Sequence, residues 1–324
     1  MGILPAFLLL LTGIVILIVA GDFLVRGAAA LARHWGIPAL IVGLTIVAFG
    51  TSAPELVVSI QAVMKGAGEL ASSNVVGSNI ANVLLALGLP AIIMAIPTNM
   101  SGVGRNAVVA LAATVLFIAL AFIGNPLGMW QGAILFTGIL LYLVWMFRLA
   151  KSGAEDPILA EMTEIEEGDD GLPTNVMVSG FYVLAGLIGL AIGGNMIVEN
   201  AVSIASTLGV SETIIGLTIV AIGTSLPEVA TVIVAAYRGH SEVAIGNVLG
   251  SNIFNLLAVM GAAALAGPVD IAKQIFVFDF WVMLAAMMFL LLVIMGRQPI
   301  GRKTGIMLFI GYLLYLAAVV RAVI

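Results

Sequence analysis

The chain has 324 residues, of which 62% are hydrophobic and 9% charged, with a formal net charge of −5. A soluble domain carries about 25% charged residues, so this little polar surface cannot cover so apolar a core, and lipid must be the solvent. Soluble folds and nucleic-acid binders are excluded, and the absence of cysteine removes disulfides, thiolate metal sites and thiol catalysis.

A membrane helix needs about 20 mostly apolar residues. Cutting the apolar runs at polar, glycine or proline punctuation predicts ten spans. Span 1 covers 3–25. It is apolar from Ile3 to Ala20 with no basic segment before it, so it is read as a membrane helix and not a cleaved signal. Span 2, 38–64, contains GLTIVAFGTSAPE at 43–55, and span 3, 70–95, contains NVVGSNIAN at 74–82. Spans 4 and 5 cover 106–124 and 128–149. The long polar connection 150–175 follows, with Pro157, Gly168, Gly171 and Pro173 and eight of the 17 acids: Glu155, Asp156, Glu161, Glu164, Glu166, Glu167, Asp169 and Asp170. It has no EF-hand spacing and reads as a solvated charge run. Span 6 covers 176–200. Span 7, 212–237, contains GLTIVAIGTSLPE at 216–228, and span 8, 243–266, contains NVLGSNIFN at 247–255. Spans 9 and 10 cover 275–296 and 304–322.

The two long motifs agree at eleven of thirteen positions and the two short ones at seven of nine, all at one offset of 173. The same offset pairs Gly21 with Gly194 and Gly36 with Gly209. The chain therefore divides into a first repeat, 1–149, an acidic linker, 150–175, and a second repeat, 176–324. Five helices is an odd number, so the second copy enters the membrane from the opposite side. The expected fold is an all-α integral membrane protein of ten transmembrane helices in two inverted-topology five-helix repeats, an architecture of secondary transporters. With the N-terminus outside, Arg26, Arg33, Arg105, Arg148, Lys151, Arg238, Arg297, Arg302 and Lys303 lie near cytoplasmic ends, and only Lys65, Lys273 and Arg321 fall outside. That bias places both termini outside and the linker in the cytoplasm.

Glu55 and Glu228 fall inside spans 2 and 7. A charge at mid-membrane costs at least about 2.5 kcal/mol, so a functional site is the default reading. Pro54 and Pro227 precede them and remove an N–H, which frees the carbonyl of Gly50 or Gly223 and should break the helix across GTS. Freed carbonyls in lipid need a partner, and a cation is one. Thr51 and Ser52 share a helix face with Glu55, as Thr224 and Ser225 do with Glu228. Ser78 and Asn82 share a face of span 3, and Ser251 and Asn255 one of span 8. All are oxygen ligands, which suit a hard cation such as Ca2+ and not a soft metal. His34 and His240 fall near loops.

The paired GTSxPE and GSNIxN blocks resemble the alpha repeats of the sodium/calcium exchanger (cation/Ca2+ antiporter) family, in its short prokaryotic form. The resemblance covers nearly the whole chain. It implies ligation by the Glu55 and Glu228 carboxylates, with hydroxyls or carbonyls of Thr51, Ser52, Thr224 and Ser225. The carbonyls of Ala48 and Ala221, the hydroxyls of Ser78 and Ser251 and the amide of Asn82 complete the implied set. It further implies one central Ca2+ site, overlapping Na+ sites, three Na+ exchanged per Ca2+, and sliding of spans 1 and 6 across the other eight. Family members often carry aspartate where this chain has Asn255, and an amide brings oxygen without charge.

The expected function is Ca2+/Na+ antiport by alternating access in the plasma membrane, by a monomer with no cofactor, enzymatic activity or obligate protein partner. Ca2+/H+ exchange on the same glutamates is the alternative. A cation channel fits less well, because channels commonly use rings from several subunits. An intramembrane hydrolase using Ser52 or Ser225 lacks a nearby base. Glu69 and Glu242 are expected to serve helix N-termini. Asp22 and Arg26 pair with Asn195 and Glu199 in the repeat, so their charges are not duplicated and read as interfacial. Asp279 is expected to mark the span 9 interface and not the ion site.

Overall fold

In a computed structural model, residues 3–151, 172–173, 175–208 and 221–323 are described. The chain runs through α1 (Ile3–Trp35), α2 (Ala39–Thr51), α3 (Ala53–Met64), α4 (Gly68–Ile93), α5 (Val103–Ile123) and α6 (Met129–Lys151). Then come α7 (Val176–Thr207), α8 (Ala221–Thr224), α9 (Leu226–Tyr237), α10 (Ser241–Ala266), α11 (Ile275–Met295) and α12 (Arg302–Val323). Among the described residues, eight helices are long and apolar enough to cross a membrane, and the bent pair α2–α3 makes a ninth. The fold is that of an all-helical, multi-pass membrane protein. The predicted span 212–237 is described only from Ala221 onward, and the acidic cluster lies outside the described residues.

Two predicted spans were too short. α1 continues past 25 to Trp35, and α7 past 200 to Thr207, giving 33 and 32 residues. At about 1.5 Å per residue each is near 50 Å long, well beyond a hydrocarbon core of about 30 Å. The polar residues Asp22 and Arg26 do not end α1, because the alanine-rich stretch after them favours helix. It ends at Gly36, whose φ of 60° is a left-handed cap, with Ile37 N–H donating to the Ala32 carbonyl at 3.0 Å. Pro38 then prevents continuation.

α1 and α7 lie along one another, and glycines let their backbones approach. A Cβ on Gly186 would fall 2.6 Å from Leu24 N, and one on Gly27 would fall 2.8 Å from Val183 N. The centre of the protein is instead α4 and α10, in which 78% and 83% of the span is buried, against 17% to 28% for α1, α6, α7 and α12.

α10 is pressed against α2. A Cβ on Gly250 would lie 2.6 Å from both Leu44 O and Ala48 Cβ, contacts that only a backbone shift could relieve. Gly250→Ala is therefore expected to lower thermal stability by about 1–3 kcal/mol and to weaken ion binding, because Ser251 is the next residue. Melting in detergent with and without Ca2+ checks this; an unchanged Tm would show that α10 can withdraw from α2 without cost.

The loops of the two halves also meet. Isolated antiparallel bridges join Ile96 to Ile300 and Leu127 to Val269. Thr98 Oγ1 donates to the Gln298 carbonyl at 2.8 Å, and Asn125 Nδ2 to the Ile271 carbonyl at 3.1 Å. Residues 96, 98, 125 and 127 stand 173 before 269, 271, 298 and 300, so each contact is the repeat counterpart of another.

Candidate cation site

The proline motifs break their helices at the serine. Ser52 (φ −86°, ψ 2°) separates α2 from α3 with a bend of 43°, and Ser225 (φ −91°, ψ 2°) separates α8 from α9. Proline sits in the first turn of each new helix, where its missing N–H costs nothing. Ser-x-Pro-Glu also has the spacing of a capping box. Neither serine caps its own helix, and Ser52 Oγ instead donates across the repeat to Glu228 Oε1 at 3.4 Å. Each glutamate thus lies in the first turn of a helix that starts in mid-span. The positive end of the helix favours a carboxylate there, which offsets part of the burial cost.

Glu55 and Glu228 are both 0% exposed and lie near enough to interact electrostatically. The hydroxyls of Thr51, Ser52 and Ser251 face Glu228. Thr51 is buried, and its Oγ1 donates to Asn247 Oδ1 at 3.1 Å and lies 3.3 Å from Ser251 Oγ. Thr224 is half-buried and Ser225 is buried. Ser78 and Asn82 of α4 and Ser251 and Asn255 of α10 are all buried. The helix becomes π-helical over Asn82–Leu87 and again over Phe254–Val259, so both asparagines stand in widened turns, a feature common at functional sites. Of the two backbone positions, the Ala48 carbonyl accepts from Ser52 N–H at 3.0 Å, and Ala221 starts α8.

Three asparagines that the sequence reading passed over belong to this cluster. Asn82 Nδ2 donates to Asn252 Oδ1 at 3.0 Å, and Asn252 Nδ2 reaches the Asn79 carbonyl at 3.5 Å. Asn247 receives the Thr51 bond described above. The signal for Asn247 was present, since Asn247, Ser251 and Asn255 are spaced i, i+4, i+8 on one stripe. Asn74 shares the corresponding stripe of α4 but is half-buried and reaches Ser59 Oγ at 3.4 Å. Asn79 and Asn252 stand one residue off the stripe, and only their duplication marks them.

The donor chemistry fits a hard cation. Glu55 Oε1 and Oε2, Glu228 Oε2, Ser78 Oγ, Ser225 Oγ, Asn82 Oδ1 and Asn255 Oδ1 are buried oxygens with no hydrogen-bond partner among the described residues. Leaving such groups unmatched in an apolar interior is costly, and a cation among them would satisfy several at once. Among the described residues no three His, Asp or Glu side chains cluster, so the charged groups of the candidate site are two carboxylates and its other candidate ligands are neutral oxygens.

The remaining polar residues lie elsewhere. Glu69 and Glu242 occupy first turns of α4 and α10, as expected. Asp279 on α11 faces Tyr315 of α12. His34 lies in the last turn of α1, with Nε2 3.2 Å from the Pro173 carbonyl, and His240 directly precedes α10.

The model of the sodium/calcium exchanger protein family matches residues 5–148 and again 178–321. Sodium/calcium exchanger MaX1 of Methanosarcina acetivorans is 31% identical over 96% of this chain and 97% of its own length. Inner membrane protein YrbG of Escherichia coli is 34% identical over 95% of each chain. Among solved structures, the sodium-calcium exchanger NCX_Mj, soaked with Na+ and Ca2+, superposes with a TM-score of 0.81 at 28% identity, covering 98% of this chain and 99% of that one. Two matches to one family model, each containing a GTSxPE glutamate, together with relatives aligned from end to end, establish that the chain belongs to the sodium/calcium exchanger family.

Proposed function

We propose that this protein exchanges Ca2+ for Na+ across the plasma membrane by alternating access, using Glu55 and Glu228 as the charged ligands of one shared site. The observation that carries this reading is the buried carboxylate pair at two mid-span helix breaks, together with buried oxygens on the same motifs that have no partner among the described residues. Two carboxylates neutralise one Ca2+, and the hydroxyls of Thr51, Ser52, Thr224, Ser225, Ser78 and Ser251, the carbonyls of Ala48 and Ala221 and the amides of Asn82 and Asn255 extend the ligand set. The names of MaX1 and NCX_Mj support the Na+ and Ca2+ assignment.

The architecture that goes with it is ten membrane helices in two inverted repeats, 1–149 and 176–324, with outside termini and a cytoplasmic linker at 150–175. The exchanged loop contacts at 96/300 and 127/269 support the two-fold relation. The α1–α7 pair, long and peripheral, is the unit that slides across the buried core. The working unit is a monomer, because one chain supplies both halves of the site. Purified protein in proteoliposomes should take up radiolabelled Ca2+ only against an imposed Na+ gradient. Uptake driven by a proton gradient alone would establish Ca2+/H+ exchange, and uptake without any counter-ion would establish a channel.

Asn255→Asp places a third carboxylate beside the two glutamates. Like charges so close cannot all ionise, so the variant should exchange protons within the working pH range. Ca2+ flux is expected to become more pH-sensitive than in the parent. An unchanged pH profile would place Asn255 outside the ion site.

A further inference from the structure

The two repeats are not in equivalent environments. Ala230 and Thr231 of α9 are 5% and 0% exposed, while their counterparts Val57 and Val58 of α3 are 53% and 38% exposed. The cause is α1, which lies along α9. A Cβ on Gly21 would come 3.2 Å from Val234 Cγ2 and 3.5 Å from the Ala230 carbonyl. α7 makes no comparable contact along α3. In the orientation proposed above, the inner end of the core is covered and the outer end uncovered.

The covered end carries a charge contact that bridges the two units. Asp22 of α1 pairs with Nε of Arg238, the residue that ends α9, and also lies 3.7 Å from Arg26 one turn along its own helix. Arg26 in turn stacks over the Tyr182 ring of α7 at 5.5 Å, and Phe23 stacks on that ring at 4.6 Å. Asp22 is thereby joined to both members of the α1–α7 pair on one side and to the core on the other. The counterparts on the outer side are Asn195 and Lys65, an amide and an amine that cannot form an ion pair. The nearest acid in that repeat, Glu199, is exposed and makes no salt bridge with Lys65.

We propose that Asp22 and Arg238 are positioning residues for transport, forming an inner latch that holds α1–α7 over α9 and favours the outward-facing state. This rests on the alternating-access reading and names a determinant of its equilibrium. The pair is partly exposed, 24% for Asp22 and 34% for Arg238, so its bias is modest and reversible. A latch of that strength can set the resting state without trapping the carrier.

The chain contains no cysteine, so single cysteines report without background. Ala230→Cys and Val57→Cys, each in proteoliposomes, would be treated with a membrane-impermeant maleimide from either side. In the parent, Val57→Cys should label from outside and Ala230→Cys should be protected from inside. Adding Asp22→Asn should raise inner labelling of Ala230→Cys and lower outer labelling of Val57→Cys by about twofold to fivefold, the shift that such an exposed pair supports. Arg238→Gln should act in the same direction, and the reversed pair Asp22→Arg with Arg238→Asp should restore the parent pattern. Labelling unmoved by Asp22→Asn and Arg238→Gln, or not restored by the reversal, overturns the latch. So does a Val57→Cys that never labels from water, because that face would then be covered by lipid. Ca2+ flux in the same vesicles separates the two ideas: labelling can shift while flux lacks Na+ dependence, which would defeat the exchange reading alone.

Discussion

Glu55→Gln and Glu228→Gln are each expected to abolish Ca2+ transport while leaving an inserted, folded protein. Glutamine keeps the volume and one carbonyl oxygen of the side chain, so packing around the helix breaks survives. What is lost is one of the two carboxylates that lie fully buried and within electrostatic reach of each other. Removing one partner from a buried charge cluster costs about 3–5 kcal/mol, which is about a hundredfold to several thousandfold in Ca2+ affinity. The fold itself should not pay that cost, because neutralising a buried carboxylate removes a desolvated charge. Size-exclusion profile and melting temperature check integrity, and Ca2+ flux with direct Ca2+ binding checks function. Near-normal flux in either variant would remove the carboxylate pair as the site.

Exchange is further expected to be electrogenic. The two glutamates bring two negative charges, so one Ca2+ leaves the site neutral and three Na+ leave it with one positive charge. The Na+-loaded step then carries a net charge through the membrane field, worth about 2.3 kcal/mol per 100 mV. At RT of about 0.59 kcal/mol that is a factor of roughly fifty in the Ca2+ gradient the exchanger can sustain. In vesicles clamped with valinomycin and K+, an inside-negative potential should accelerate Ca2+ efflux coupled to Na+ entry. Two Na+ or two H+ per Ca2+ would leave the site uncharged in both states, and flux would ignore the clamp. With a neutral amide at Asn255, no third side-chain charge at that position can absorb the extra Na+, which makes the measurement decisive for stoichiometry.

The membrane class, the helical spans and the duplicated motifs were legible in the sequence, because each depends on composition or on local spacing. Apolar runs of span length leave helices as the default in lipid, and a proline before a buried glutamate predicts a break wherever it falls. Glu55 and Glu228 could be singled out for the same reason: a charge in an apolar run is expensive regardless of what surrounds it. Contacts between repeats were not legible. Ser52 reaches Glu228 and Thr51 reaches Asn247 across separations of 176 and 196 residues, and no local pattern says which hydroxyl meets which partner. The lengths of α1 and α7 were misjudged for a related reason. Asp22 and Arg26 look like the end of a span when read along the chain, whereas in three dimensions Arg238 and Tyr182 lie against them and the helix continues. Local chemistry thus marked out a candidate cation site in the membrane. Tertiary packing decided which hydroxyl meets which partner and which of α3 and α9 is covered, because those depend on how the two halves of the chain dock.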